Sequence, residues 1–223
     1  MPNYTSTITL PQMAFHEHFD QQVAILIRDS SPIIDGAIHM CMSAEAMKQK
    51  IDEDKAKDAS VKLAGMSTVV GIALDNAIRN EQAEALVMYG FDAPMPLVIT
   101  KQDLEPLRDV VDSFCAMYAY ACGKLDLEKV YEVMKEKQAY FLGEPFSSDN
   151  KNFSVTTIPR TKENGDKYES IVMFLTKESA MRYNPDGRPI SVAPIGLMGD
   201  FWKETYAIVV EPHRNYWVEF NAK

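Results

Sequence analysis

Phe153-Ser154-Val155-Thr156-Thr157-Ile158-Pro159 is followed by Glu163-Asn164-Gly165-Asp166 and then by Tyr168 to Leu175. The outer pieces are rich in β-branched and apolar residues, and the Asn-Gly between them is a hairpin signature, so a strand, a turn and a returning strand are expected. Thr176 then caps a short helix to about Tyr183, Asn184-Pro185-Asp186-Gly187 turns the chain, and Ile190 to Val192 reads as another strand. Tyr206 to Glu211 and Tyr216 to Phe220 read as strands on either side of Pro212-His213-Arg214-Asn215. At period two, Tyr216, Val218 and Phe220 share one side of the last strand while Trp217 and Glu219 share the other.

Upstream, Gly143 to Asn152 holds the densest cluster of turn formers, and a step in charge coincides with it. Residues 1–145 carry 13 basic and 22 acidic groups, whereas residues 146–223 carry 10 of each. The sequence therefore predicts two parts, an acidic part over 1–145 and a small sheet module over 146–223, which can still share one core.

The first part reads as mainly helical. Phe15, Phe19, Val23 and Ile27 recur at steps of four and predict a helix over Phe15 to Ile27. Ser43 caps a helix to Lys50, after which Asp52-Glu53-Asp54-Lys55 is too polar to bury. Val61 to Asn80, Gln102 to Cys122 and Leu127 to about Tyr140 follow as helices, the longest capped by Thr100 and stopped at Gly123. Short strands are expected at residues 4–10, in a small hairpin of Leu86 to Tyr89 with Leu97 to Thr100, and just before the Ser43 cap. The fold class predicted is α+β, a mainly helical N-terminal part plus a small mixed or antiparallel sheet with a short helix at the C-terminus.

A strand, a Ser/Thr cap and a helix start recur at Met40-Cys41-Met42-Ser43-Ala44-Glu45, Val98-Ile99-Thr100-Lys101-Gln102 and Phe174-Leu175-Thr176-Lys177-Glu178. Such joints are common enough for three to arise by chance, with a decayed duplication as the alternative.

Across the 223 residues, 23 basic and 32 acidic side chains give a net charge of −9, which opposes polyanions and argues against nucleic-acid or anionic-membrane partners. Three cysteines without a CxxC pair fit reduced thiols rather than a disulfide framework. Met1 to Leu10 lacks the basic and apolar regions of a signal peptide, and no run approaches the roughly 18 apolar residues of a membrane span. A soluble, cytoplasmic protein is expected.

Motifs for chemistry are missing. His16-Glu17-His18 lacks the HExxH spacing of a zinc pair, Asp52-Glu53-Asp54 lacks the spaced oxygens of a calcium loop, and neither GxGxxG nor GxxxxGK[ST] occurs. No catalytic, metal or cofactor residue is assigned. The aromatic C-terminal end is more suggestive, and Trp202, Tyr206, His213, Arg214 and Trp217 form the candidate binding set.

From Phe153 to about Val218 the chain resembles the N-terminal module of the SseB-like family, the bacterial enhanced serine sensitivity proteins. The resemblance rests on Val155 to Pro159, the turn Glu163 to Asp166, Val172-Met173-Phe174-Leu175-Thr176-Lys177-Glu178-Ser179-Ala180 and Ala207-Ile208-Val209-Val210-Glu211-Pro212. It covers about a third of the chain, with Leu175 ahead of Thr176 and Glu211 in place of Asn as departures from the family pattern. It implies an α+β fold and no catalytic residues. The reading is a non-enzymatic binding or regulatory module recognising a protein or peptide partner, with self-association. The alternative is an enzyme or small-molecule binder using His39, His213, Arg214 and distant acidic residues in a pocket where the helical part meets the sheet.

Overall fold

The computed structural model describes residues 4–9, 17–60, 62–91, 95–144, 154–202 and 205–221, with residues 201 and 202 given by backbone alone. By contact the chain falls into two compact units, Met1–Val111 and Asp112–Lys223. Residues 145–153, where the charge step and turn formers meet, lie outside the described residues.

The first unit is built on a sheet, which overturns the mainly helical reading. Its strands are β1 (Gln22–Arg28), β2 (Ile33–Ile34), β3 (Ala37–Cys41), β4 (Leu63–Val69), β5 (Ala85–Tyr89) and β6 (Leu97–Thr100), in the order β4-β1-β3-β5-β6 with β2 folded onto β3. Only β3 and β5 run parallel. Helices α1 (Ala44–Lys57) and α2 (Val70–Arg79) flank β4, and β6 leads into α3 (Lys101–Leu104).

The physical reasons for the misreading are local. A step of four is also twice the period of a strand, so Phe19, Val23 and Ile27 suit either element, and buried Val23, Ile25 and Leu26 show that Gln22–Arg28 is sheet core. Asp35-Gly36 is a two-residue hairpin turn with both residues at positive φ, 54° and 87°. Val61 to Asn80 splits at Val69 into β4 and α2. The expected helix over Gln102 to Cys122 tightens at Glu105–Leu107, where Pro106 sits, and resumes as α4 (Arg108–Ala121). Ser43 caps α1 as expected, its side chain accepting from Ala46 N–H, and of the two readings of Asp52 to Lys55, a solvated or a broken helix, the structure has the solvated one: α1 runs on to Lys57 with no buried residue.

The second unit holds the rest of α4, α5 (Leu127–Met134) and a seven-stranded sheet. Its strands are β7 (Gln138–Glu144), β8 (Ser154–Val155), β9 (Thr157–Thr161), β10 (Lys167–Phe174), β11 (Ile190–Pro194), β12 (Ala207–Val210) and β13 (Val218–Phe220). Helices α6 (Lys177–Arg182) and α7 (Ile195–Trp202) flank β11. The sheet order is β11-β7-β10-β12-β13, β9 hairpins onto β10, β8 pairs with β7, and only β10 and β12 run parallel. The helix expected to reach Tyr140 ends at Met134, because Gln138 onward is strand.

The two units share one plan, and the agreement extends to register. Strands β1 and β7 have seven residues each. Ile25 lies opposite Met40 in the first unit, and Phe141 lies opposite Met173 in the second. Ile38 faces Leu86 as Ile171 faces Ile208, and Leu86 faces Ile99 as Ile208 faces Phe220. Gln22 pairs with Val69 and Gln138 with Pro194, and each of those last strand residues passes into a helix without a loop. Even the hydrogen bonds at this joint repeat: Val70 and Gly71 N–H donate to Gln21 and Phe19 C=O at 3.0 Å each, and Ile195 and Gly196 N–H donate to Lys137 and Lys135 C=O at 3.0 and 2.7 Å. Main-chain carbonyls thus satisfy the first orphan donors of both helices. Ser43 and Thr176 occupy the same place, each capping the helix after the hairpin, so two of the three recurrent joints are equivalent positions in a repeated fold.

Candidate functional site

The binding residues expected from sequence do not converge. Tyr216 and Val218 are buried and Trp217 is 42% exposed, following the period-two alternation. Trp217 lies under the Arg160 guanidinium, 5.3 Å from the ring centre, on the sheet face that also carries Glu219. Glu219 accepts from Tyr168 Oη at 3.2 Å and from the Ser170 hydroxyl. His213 stacks on Tyr183 with centroids 3.9 Å apart, and Arg214 Nε stands 3.7 Å from Glu211 Oε2. Trp202 closes α7, with its side chain outside the described residues.

Glu211 belongs to the frame of the fold. It is buried at the end of β12 with φ of 54°, and its carboxylate accepts from Leu175 N–H at 2.8 Å, tying β12 to the turn into α6. Burial pushes its carboxyl up, against the lowering effects of the Leu175 N–H and Arg214. His39 has an internal role too. Its Nε2–H donates to Ile34 C=O at 3.2 Å, which leaves Nδ1 to accept from Tyr89 Oη at 2.9 Å. Burial, its leading influence, pushes its pKa down.

Of the expected set, Tyr206 lines a sizeable hollow. It is a cleft of about 780 Å³ on the opposite sheet face from Trp217, bounded by α5, α7, β12 and β13. Tyr131, Tyr206 and Phe220 supply aromatic walls, Ile208 an aliphatic one, and Glu128, Glu132 and Asp200 line the same cleft. The rings of Tyr131 and Phe220 meet edge to face at 5.2 Å. Glu132 is paired with Lys135 at 2.7 Å. Burial, then the carboxylate of Asp200, raises the Tyr131 phenol, which therefore stays neutral.

The repeated fold gives the cleft-lining helix α7 a counterpart in α2. Five residues after Val69, α2 carries Leu74, which is fully buried together with Leu86 and Ile99. Five residues after Pro194, α7 carries Gly199. A Cβ there would stand 3.0 Å from Tyr131 Oη. A leucine that fills the first unit is thus a glycine in the second, and Phe220, at the place of Ile99, is only half buried. Among the described residues of the first unit, two smaller hollows of about 220 and 300 Å³ lie beside α1.

Sequence reading missed Tyr131, Gly199, Asp200 and Phe220 as a site. The signal was Gly196 and Gly199 inside the apolar run Ile195 to Trp202, a stretch that the glycines disguise as a connection rather than a helix. Among the described residues no group of three or more His, Cys, Asp or Glu could hold a metal ion, and no helix is long and apolar enough to cross a membrane.

No family model and no curated protein matches the chain. Among solved structures it is similar to Anabaena Tic22 (protein transport), at 12% identity over 88% of each chain with a TM-score of 0.24. A likeness of that size carries no argument about fold or function.

Proposed function

We propose that the chain is a non-enzymatic binding module that recognises a protein or peptide partner through the acidic, aromatic cleft of its second unit. The observation that carries this is the exchange of Leu74 for Gly199 at one position of a repeated fold, a fully buried leucine in the first unit and a glycine on the wall of a cleft in the second. Aromatic walls suit an inserted side chain with an apolar stem, and Glu128 and Asp200 suit a cationic tip. A basic, apolar peptide segment meets both demands. The SseB-like resemblance, which implies no catalytic residues, agrees with this reading, and Met40 to Glu45 repeats its strand-and-cap feature in the first unit. The partner is a polypeptide rather than nucleic acid or membrane, consistent with a net charge of −9.

Calorimetric titration with two hexapeptides, one alternating Leu with Arg and one alternating Leu with Glu, tests the proposal. The basic peptide is expected to bind, with affinity falling at least tenfold in Gly199→Ala or Tyr206→Ala, while the acidic peptide gives no heat. Equal binding of both peptides, or no binding of the basic one, overturns it.

A further inference from the structure

In the first unit the outer edge of β6 is covered by the chain itself. Thr7 N–H donates to Val98 C=O at 2.8 Å, Val98 N–H donates to Thr7 Oγ1 at 2.8 Å, and Thr100 N–H donates to Ser6 Oγ at 2.8 Å. A hydroxyl-rich segment, Tyr4 to Thr9, thus supplies acceptors to the outward N–H groups of the edge strand. Both acceptors are side-chain hydroxyls, while the backbone contributes the Thr7 N–H as a donor.

Strand β13 stands at the same edge of the second sheet, in the same register. Outward and inward groups alternate along an antiparallel strand, and Leu86–Ile99 and Ile208–Phe220 are equivalent pairs. Glu219 and Asn221 therefore occupy the places of Val98 and Thr100, with their N–H groups turned away from β12. Among the described residues no acceptor meets either N–H. An edge with no partner among the described residues is a template for an added segment.

We infer that the β13 edge is a second peptide site, which takes an extended Ser/Thr-rich segment of a partner protein in the way Tyr4 to Thr9 lies on β6. The occupant is defined by that intramolecular example: two adjacent hydroxyl side chains, as Ser6 and Thr7 are, accept from the N–H of Asn221 and Glu219, and its backbone N–H donates to Glu219 C=O. This site is independent of the cleft, since it uses the strand edge and no cleft wall other than the backbone of Asn221.

The probe is a dye-labelled, end-blocked peptide of the sequence of Tyr4 to Thr9, followed by fluorescence anisotropy on the full chain. Wild type is expected to bind it. Asn221→Pro, which removes one outward N–H while sparing the ladder to β12, is expected to weaken binding at least tenfold, and Asn221→Ala to leave it within twofold. Glu219→Pro against Glu219→Gln gives the same contrast at the second N–H and keeps the test decisive if one proline variant fails to fold. Absence of binding to wild type, or equal binding by the proline and non-proline variants, overturns the inference. Gly199→Ala separates it from the cleft proposal, because that variant should lose the Leu/Arg hexapeptide and keep this one. Loss of the Ser/Thr peptide in Gly199→Ala with retention in Asn221→Pro would place it in the cleft and overturn the edge site.

Discussion

The two units answer the same architectural problem with the same strand order, the same register and the same loop-free passage from strand into helix, yet they differ in the side chains at shared positions. At the fifth residue after that passage the first unit has Leu74, buried with Leu86 and Ile99, and the second has Gly199 in front of Tyr131. At the end of the parallel pair the first has Tyr89, bonded to His39, and the second has Glu211, bonded to the backbone at Leu175. Shared positions carry the fold and divergent positions carry what is particular to each unit. A repeat therefore serves as an internal control for deciding which cavities are built.

The largest expected effect lies at the filled position. Leu74→Gly should destabilise by about 3–6 kcal/mol, combining the loss of a fully buried leucine with the cost of glycine inside a helix. Its counterpart, Gly199→Ala, should change stability by less than about 1 kcal/mol, since better helix propensity offsets the tight approach to Tyr131. Chemical denaturation of both variants measures the contrast, and comparable losses at the two positions would break the claim that one site is packed and the other open.

A smaller effect separates the two buried titratable groups by sign. The Glu211 carboxyl is raised by burial, so its contribution to stability is full below the unfolded carboxylate range and is lost as pH rises through the folded value. The His39 imidazole is lowered by burial, so its contribution is full above the ordinary value of about 6.5 and is lost as pH falls toward the folded value. Between pH 7.5 and 5, thermal melts should show Glu211→Gln removing a gain on acidification and His39→Gln removing a loss. The same sign for both would contradict the burial argument.

Much of the second unit was legible because its signals are short-range: the Asn-Gly turn, the Thr176 cap and the alternation around Trp217 each belong to a few adjacent residues. The first unit was misread where one spacing serves two periods, as at Phe19, Val23 and Ile27, and where one run holds two elements, as at Val61 to Asn80. The Ser43 and Thr176 joints were visible as a recurrence, but the repeat became decisive only through pairings such as Ile38–Leu86 and Ile171–Ile208, which local pattern does not encode. The cleft was the least legible part. Its walls come from residues 127 to 221, and its defining feature is a side chain that is missing.

Amide chemical shifts during titration of the Leu/Arg hexapeptide show whether the protein binds at the cleft beside Gly199 rather than at the leucine-bearing counterpart in the first unit. Perturbations should cluster on Tyr131, Gly199, Asp200, Tyr206, Ile208 and Phe220 and leave Leu74, Leu86 and Ile99 unmoved. Shifts centred on the first unit's residues, or spread equally over both units, would contradict it.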